Sequence, residues 1–321
     1  MRALLAQASE DGVLAAGDLV LVALSGGADS LALAAATAFE APKQGLRAGA
    51  VVVDHALQAG SEAVASRASR QAEQLGLAPV TVRRVAVGSS GGPEGAAREA
   101  RHASIAQVAS DTGSPLVLFG HTLDDQAETV LLGLLRGSGP DALSGMTPLA
   151  LRAEGPAYGR PLLGLRRHVT RQACAAAGLS PWDDPQNDDH AFARVRVRRA
   201  LMPVLERELG PGVPEALART ADQLREDSAA LDHFAEELAE DVAEHAEAGI
   251  ALSVRALAAN PPALRQRLVR LAVESEFGVT LTRTQTLEVC RLVSDWSGQG
   301  PIDLPGVRAS RDGDRLLFAA G

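Results

Sequence analysis

A serine- and glycine-rich loop lies within residues 21–30, LVALSGGADS, between an apolar run and a helix-like stretch. Glycine allows backbone N–H groups to approach a phosphate closely, and the dipole of the following helix adds partial positive charge. The pattern therefore predicts a binding loop for a nucleotide phosphate. Its members are Ser25, Gly26, Gly27, Ala28, Asp29 and Ser30.

Two other phosphate loops are excluded by the residues present. A Walker loop needs a glycine–lysine pair, but the only lysine is Lys43, and a dinucleotide loop needs a third glycine where Asp29 and Ser30 stand. An ordinary strand-to-helix turn remains the alternative for the loop alone. A carboxylate beside a phosphate is repulsive unless a divalent cation neutralises both, so Asp29 predicts a magnesium ligand.

A second cluster of polar side chains lies in residues 120–129, GHTLDDQAET, where a predicted strand leads into a helix. Thr122 is a suitable N-cap, and acidic residues are favoured in a first turn, so capping explains part of the pattern. Three carboxylates exceed what capping needs. Asp125 and Glu128 are three positions apart on one helix face, and they could hold either an ammonium group or a metal ion.

Arginines are concentrated in two further segments. Arg98 and Arg101 share a helix face, and by themselves they are typical of a solvated surface pair. In residues 192–199, FARVRVRR, a strand would place the arginines on one face, whereas a helix would spread them around its side. Such close guanidinium groups favour a nearby anion, such as a phosphate of ATP or of a nucleic acid. They are Arg194, Arg196, Arg198 and Arg199.

The first half of the chain alternates strand-like and helix-like segments, which predicts an α/β fold with a parallel sheet. Ligands of such sheets bind beyond the carboxyl ends of the strands. The phosphate loop, Asp54 with His55, and Gly120 with His121 all fall there, and we expect them to share one nucleotide-binding crevice. The strands are predicted at residues 19–24, 48–53, 80–85 and 115–119, and crossover helices at 61–75 and 95–110.

A boundary is predicted at LGPGVP, residues 209–214, which separates a domain over 1–209 from a smaller, mainly helical domain over 210–321. Leucines then recur every seven residues from Leu217 to Leu238. Small residues at half of this heptad seam favour a helix docked on its own chain, and a coiled-coil homodimer is the alternative. A helical region, 262–293, and a β-like end, 301–318, complete this domain.

Composition predicts a globular enzyme, with 321 residues, 46% hydrophobic and 22% charged residues and a net charge of -9. The start lacks the apolar block of a signal peptide and no apolar run reaches membrane length, so we expect a cytoplasmic protein with no membrane segment. The acidic total argues against nucleic acid, but the segregated arginines leave room for one basic face. Cys174 and Cys290 show neither disulfide nor zinc spacing.

With these residues identified, the chain resembles the tRNA(Ile)-lysidine synthetases of the PP-loop ATP pyrophosphatase superfamily. SGGADS is similar to the superfamily loop, whereas the other matching motifs are specific to this family. They are VVVDHAL at 51–57, HTLDDQAETVLLGLLRGSG at 121–139, LSGM at 143–146, RPLL at 160–163 and PWDDPQND at 181–188. The resemblance implies a PP-loop domain, of the adenine nucleotide alpha hydrolase-like fold, and a small C-terminal tRNA-binding domain.

The reaction implied by the resemblance joins L-lysine to C2 of the wobble cytidine in a tRNA(Ile) with a CAU anticodon. ATP first adenylates the C2 oxygen, and pyrophosphate and then AMP leave. The resemblance implies that residues 25–30 bind pyrophosphate and that Asp29 helps to hold Mg²⁺. It further implies that Asp125 and Glu128 orient lysine, and that Arg101 and Arg194 contact phosphate or tRNA.

Four residues depart from the family pattern, and they place individual tRNA or phosphate contacts in doubt: Gln58, His102, Val195 and Arg199. Another PP-loop enzyme, such as a tRNA thiolase or an amidotransferase-linked synthetase, is the nearest alternative function. Cytidine thiolases use paired cysteines for an iron–sulfur cluster, and this chain has no such pair. A nucleotide-binding regulator similar to the universal stress proteins is the alternative outside the enzymes.

Overall fold

The computed structural model describes residues 1–54, 60–85, 93–137, 139–246 and 249–321. His55 and Gln58 lie outside the described residues. The chain divides into two compact units, Met1–Asp222 and Gln223–Gly321. The division falls within one long helix, and the domain boundary expected at 209/210 stays a prediction.

The first unit is built on a six-stranded sheet in the order β3-β2-β1-β4-β6-β5. All neighbouring strands are parallel except β5, which pairs antiparallel with β6. The predicted parallel sheet is therefore confirmed. The strands are β1 Leu19–Leu24, β2 Arg47–Asp54, β3 Val80–Arg84, β4 Leu116–Leu118, β5 Leu149–Ala150 and β6 Ala157–Gly159.

Helices connect these strands, and both predicted crossover helices are present, as α3 and α4. The arginine run is helical, since a π-helical turn at Val197–Leu201 continues α8. The helices are α1 Arg2–Glu10, α2 Ala28–Glu40, α3 Ser61–Gln74, α4 Pro93–Thr112, α5 Leu123–Leu135, α6 Pro140–Leu143, α7 Arg167–Ala176, α8 Ala193–Arg196, α9 Met202–Leu209 and α10 Val213–Val242.

Both faces of the sheet are buried, because alternate side chains of each strand point to opposite sides. On one face Val20 and Val22 join the core formed with α1 and α2. On the other face Leu21 packs in a smaller core with Ile105 of α4 and Phe119. This packing fixes the carboxyl ends of β1 and β4 relative to each other.

The second unit contains an antiparallel five-stranded sheet in the order β7-β8-β11-β10-β9, together with helices. The β-like end predicted at 301–318 is confirmed as β9 to β11, whereas β7 and β8 were not predicted. The elements are β7 Ala243–Ala246, β8 Gly249–Ser253, α11 Val254–Ala259, α12 Pro262–Phe277, α13 Arg283–Ser294, β9 Ile302–Leu304, β10 Val307–Asp312 and β11 Arg315–Ala320.

Four heptad positions of α10 pack within the chain itself. Leu217 lies against a small core of the first unit, while Ala235, Leu238 and Val242 belong to the core of the second unit. The first part of α10 therefore packs in the first unit, and its last part packs in the second unit. Among the described residues, no helix combines the length and the apolar character needed to cross a membrane.

Candidate active site

The phosphate loop connects β1 to α2 at the carboxyl edge of the sheet. Gly26 has φ +84°, a left-handed conformation that favours glycine, and an added Cβ would lie 3.3 Å from the Cβ of Ala68. Ser30 Oγ accepts from the Ser25 backbone N–H at 3.2 Å and lies 3.1 Å from Ser25 Oγ. The Trp182 N–H donates to the Gly26 carbonyl at 2.9 Å, so the PWDDPQND segment contacts the loop.

Gly120 brings the second motif against this loop. A Cβ at Gly120 would lie 2.9 Å from the carbonyl carbon and oxygen of Asp29 and 3.0 Å from the Ser30 nitrogen. Only a residue without a side chain permits this approach between the end of β4 and the first turn of α2. The two motifs therefore adjoin in one crevice, as the sequence predicts.

Asp29 lies in the first turn of α2 and contacts two residues of α7. Its Oδ1 accepts a hydrogen bond from Thr170 Oγ1, and its Oδ2 lies 3.5 Å from Nε of Arg167. Burial raises the pKa of Asp29 above its ordinary value, although Thr170 and Arg167 oppose the shift. The side chain remains 26% exposed, which leaves it open to a ligand.

Asp125 caps α5 and also belongs to an ion-pair network. Its Oδ2 accepts from the N–H and the hydroxyl of Thr122, both at 2.8 Å, which completes a capping box. Its Oδ1 lies 2.8 Å from Nη2 of Arg167 and 3.3 Å from Nη2 of Arg198. Burial works to raise the pKa of Asp125, but Arg167 and the Thr122 hydrogen bonds outweigh it and hold the pKa below its ordinary value.

Glu128 is almost fully buried, one helical turn after Asp125. Arg198 contacts it in a bidentate manner, with Nε at 2.7 Å from Oε1 and Nη2 at 2.9 Å from Oε2. Nη1 of Arg167 lies 3.5 Å from Oε1. The two carboxylates expected to bind lysine are thus close together, and arginines of the chain itself occupy them.

The arginine run divides into two faces because it is helical. Arg194 and Arg198 point inward, and Arg194 donates to Thr129 Oγ1 at 3.1 Å. Arg196 and Arg199 are exposed; Arg196 donates to the His190 carbonyl at 2.8 Å, and Arg199 contacts Asp188. The chain itself therefore supplies acceptors for all four guanidinium groups, where the sequence suggested an external phosphate.

The remaining predicted residues are His121 after β4, Arg101 on α4 and Asp54 at the end of β2. His121 stacks on Phe119 with ring centroids 5.9 Å apart, and burial lowers its pKa to about 4. Arg101 of α4 is mostly buried, and burial lowers its pKa. Asp54 ends β2 and is buried, with Oδ2 3.8 Å from Nε of Arg84.

Two residues of the site, Arg167 and Thr170, were not predicted. Arg167 bridges the phosphate loop and the acidic helix, since it contacts Asp29, Asp125 and Glu128. The sequence holds one signal for it. A cation in the first turn of a helix opposes the helix dipole, so Arg167 at the start of α7 indicates nearby carboxylates.

The donor set at Asp29 fits a magnesium ion that is held mainly by phosphates. Within the described part of the chain, no group of three or more His, Cys, Asp or Glu side chains is placed to hold a metal ion. Mg²⁺ usually binds one or two carboxylates together with substrate phosphates, rather than a cage of protein ligands. A single, partly exposed Asp29 beside a phosphate loop matches that mode.

Comparisons with known proteins agree with this geometry. A family model described as a PP-loop domain matches residues 3–205, and one described as a TilS substrate binding domain matches residues 252–317. The chain also resembles a solved U34-tRNA thiolase, NcsA, from Methanococcus maripaludis with its [4Fe-4S] cluster. The TM-score is 0.56 at 18% identity, over 70% of this chain and 80% of that one, which shows the shared fold alone.

Curated relatives are more specific. The tRNA(Ile)-lysidine synthase of Leifsonia xyli is 61% identical, over 95% of this chain and 91% of that protein. The enzyme of the same name from Streptomyces coelicolor is 50% identical, over 94% and 86%. The thiolase and regulator alternatives are therefore not favoured. A match of this extent, with a phosphate loop and an acidic helix in one crevice, shows that the chain belongs to the tRNA(Ile)-lysidine synthase family.

Proposed function

We propose that this chain joins L-lysine to C2 of the wobble cytidine of a CAU-anticodon tRNA(Ile), with ATP as the second substrate. The C2 carbonyl oxygen is a poor leaving group. Its attack on the α-phosphorus of ATP releases pyrophosphate and gives an adenylated cytidine. A lysine amine then attacks C2, AMP departs with that oxygen, and the amine loses a proton.

The observation that carries this proposal is the bridge formed by Arg167. Its guanidinium contacts Asp29 beside the phosphate loop and also Asp125 and Glu128 on α5. A site for a departing phosphate group and a site for an ammonium group therefore share one crevice. Adenylation followed by attack of an amine requires this juxtaposition.

The phosphate loop has the groups needed to hold the departing pyrophosphate. Ser25, Ser30 and the backbone N–H groups at the start of α2 provide donors, and the helix dipole favours the negative charge. We propose that Asp29 holds Mg²⁺ jointly with the phosphates. When bound, this ion supplies charge neutralisation for the leaving group.

For lysine, we propose that Asp125 and Glu128 bind an ammonium group in exchange for a guanidinium group. Both carboxylates are buried and carry charge-assisted contacts to Arg167 and Arg198. A carboxylate that an arginine holds desolvated and oriented can accept a lysine ammonium in place of that arginine. Lysine would displace Arg198, and its other amine would stay free to attack.

For tRNA, we propose that the substrate-binding match at 252–317 and the exposed arginines of the first unit share the recognition. Arg196 and Arg199 are solvent-exposed and can exchange their present partners for backbone phosphates. A localised basic face of this kind lets a chain of net charge -9 bind nucleic acid.

We further propose that the enzyme acts in the cytoplasm, where ATP, lysine and tRNA are all present. The sequence left a homodimer open. Because Leu217, Ala235, Leu238 and Val242 of the heptad seam pack within their own units, a dimer through the whole seam is not favoured. Sedimentation at several protein concentrations tests this point.

The reaction is tested with unmodified tRNA(Ile), ATP and lysine. We expect AMP formation that depends on both tRNA and lysine, together with a mass increase at the wobble cytidine equal to lysine less one water. AMP release without lysine incorporation, or lysine-independent turnover with a sulfur donor, would contradict the proposal.

The role of Asp29 is tested by Asp29→Ala, with Asp11→Ala, an exposed aspartate after α1, as the matched control. Loss of a carboxylate that neutralises the leaving group costs several kcal/mol, so turnover should fall at least about 10³-fold. The Mg²⁺ dependence of ATP binding, measured by calorimetry, should disappear as well. Near-parental turnover in Asp29→Ala would remove this residue from the mechanism.

A further inference from the structure

A group of cationic side chains near the carboxyl ends of β4 and β6 has no counter-charge in the described part of the chain. Arg98 and Arg101 project from α4, and Arg160 directly follows β6. None of the three forms an ion pair with a described residue, whereas Arg166, Arg167 and Arg198 each contact at least two carboxylates. We call Arg98, Arg101 and Arg160 the unpaired arginines.

Three polar atoms of this region are buried without a hydrogen-bond partner: Nε of Arg101, Nε of Arg160 and Nδ1 of His121. Among the described residues, the side chain of Arg160 makes one hydrogen bond, from Nη1 to the Thr147 carbonyl at 2.8 Å. A buried donor left unsatisfied costs free energy, and a buried unpaired charge costs more. Polar atoms from three separate segments of the chain thus lack a hydrogen-bond partner in the same region.

The electrostatics show that these groups lie close to one another. Burial lowers the pKa of His102 to about 4, and the charges of Arg101, Arg98 and Arg160 lower it as well. Burial also lowers the pKa of Arg160, again with a contribution from Arg98. The charges of Arg160 and Arg101 also contribute to lowering the pKa of His121. One positive field therefore covers the ends of β4 and β6.

We propose that Arg101, Arg160 and His121, with Arg98 at the rim, form a second phosphate-binding site, whose polar groups are distinct from those of the loop at residues 25–30. The resemblance implies a phosphate or tRNA contact for Arg101, and the unpartnered polar atoms add Arg160 and His121 to it. This inference rests on the proposed function, because the ligand is a phosphate group of one of its two phosphorylated substrates. Guanidinium groups and a neutral imidazole N–H match the oxygens of a phosphate.

The position of the site favours a phosphodiester of tRNA as the ligand. The phosphate loop follows β1, and the sheet order β1-β4-β6 places Arg160 two strands away from it. Aromatic rings border the region, since Phe119 stacks on His102 at 5.3 Å and meets Tyr158 edge-on at 4.9 Å. Phe119 and Tyr158 are themselves buried, so the region offers charge and hydrogen-bonding groups to a phosphodiester rather than an open stacking face for a base.

The test measures binding, so it does not depend on turnover. Affinities of unmodified tRNA(Ile) across a salt series, and of ATP, are compared for Arg160→Met, Arg160→Lys and Arg98→Ala. Arg47→Met is the control, because Arg47 is exposed at the amino-terminal end of β2, the opposite edge of the sheet. Thermal melting checks that each variant is folded, and the exposed Arg98 can be removed without leaving a cavity.

We expect Arg160→Met to weaken tRNA binding about tenfold and to reduce the salt slope by roughly one phosphate contact. Arg160→Lys should recover part of the affinity, Arg98→Ala should show a smaller loss, and ATP affinity should change less than about twofold. A loss of ATP affinity instead would support the site and assign it to a phosphate of ATP. Parental affinities for both substrates in Arg160→Met and Arg98→Ala would overturn the proposal. Failure of the proposed function would appear separately, as an absence of lysidine with the parental protein.

Discussion

The candidate site contains two groups of arginines that differ in whether the chain supplies their counter-charges. The paired arginines, Arg167 and Arg198, contact the carboxylates of Asp125 and Glu128. The unpaired arginines lie near the carboxyl ends of β4 and β6 and form no ion pair with a described carboxylate, although Arg101 is mostly buried. The same type of side chain thus acts as an internal counter-ion in one group and as an unpaired cation in the other.

This difference separates the charges that stabilise the folded chain from the charges that are open to a ligand. Buried carboxylates must be neutralised before the substrate arrives, so the paired arginines stabilise the empty site, and Arg167 helps to hold the pKa of Asp125 below its ordinary value. On the proposal above, the unpaired arginines raise the energy of the empty protein, and an incoming phosphate lowers it again. For these two groups, charge pairing within the chain separates the arginines that we assign to the empty site from those that we assign to a ligand.

Removing a paired arginine gives the largest expected effect. Arg167→Met leaves Asp29, Asp125 and Glu128 with less counter-charge, so the free energy of unfolding should fall by about 3–5 kcal/mol. Chemical denaturation measures this. The control is Arg171→Met, whose pair with Asp183 is exposed and should be worth no more than about 1 kcal/mol. Equal effects of the two variants would show that Arg167 is not an internal counter-ion.

A substitution of Glu128 tests the role of the carboxylates that the paired arginines contact. Glu128→Gln retains the shape of the side chain but removes its charge. Charge-assisted contacts are worth roughly 1.5–3 kcal/mol, so the lysine concentration that gives half the maximal rate should rise about tenfold or more. ATP affinity should stay within about twofold. Glu215→Gln, at a partly exposed partner of Arg166, is the control and should leave both unchanged. Weakened ATP binding with a normal lysine dependence would assign Glu128 to the nucleotide instead.

The comparison makes the opposite prediction for an unpaired arginine. Arg101→Met removes a buried cation that has no partner, so the free energy of unfolding should be unchanged or should rise by up to about 1 kcal/mol. Denaturation of this variant beside Arg47→Met measures the effect. A loss comparable to that of Arg167→Met would mean that Arg101 stabilises the fold and would remove the distinction between the two groups.

The positions of the motifs could be predicted from the sequence because they depend on local patterns. Alternating strands and helices identify a parallel sheet, and the carboxyl ends of its strands identify the crevice. Residues 19–24 form β1 as expected, and Asp125 and Glu128 share a buried helix face. Strand pairing in β7 and β8 was missed, since AEHA and GIALS carry little alternation.

The partners of charged side chains could not be predicted, because they depend on contacts distant in sequence. Arg167 meets Glu128 across 39 positions, and Thr170 meets Asp29 across 141. The arginine run shows the consequence. Its spacing allowed either a strand or a helix, and only the helix turns Arg198 inward to Glu128 while leaving Arg196 exposed.

The smallest expected effect is a pH dependence of the free energy of unfolding. It comes from His102 and His121, which lie beside the unpaired arginines. Burial, with Arg101 and Arg98, lowers the pKa of His102 to about 4, and burial lowers that of His121 to about 4, whereas both have ordinary values near 6.5 in the unfolded chain. At a pH between the folded and the unfolded pKa values, these histidines bind protons in the unfolded state but not in the folded state. The stabilisation is therefore complete above pH 6.5 and declines as the pH falls towards 4.

Denaturation of the parental protein and of His102→Tyr from pH 7.5 to 5 measures this dependence. The tyrosine keeps an aromatic ring at this position but does not titrate in this range, so the pH slope should decrease by up to one proton, while contributions from carboxylates cancel in the difference. His168→Gln, at an imidazole of α7 outside this cluster, is the control for losing any histidine. Identical slopes for the parental protein and His102→Tyr, or an NMR titration of His102 near 6.5, would show that no unpaired positive field acts on this ring, and the contrast between the two arginine groups would then lose its electrostatic basis.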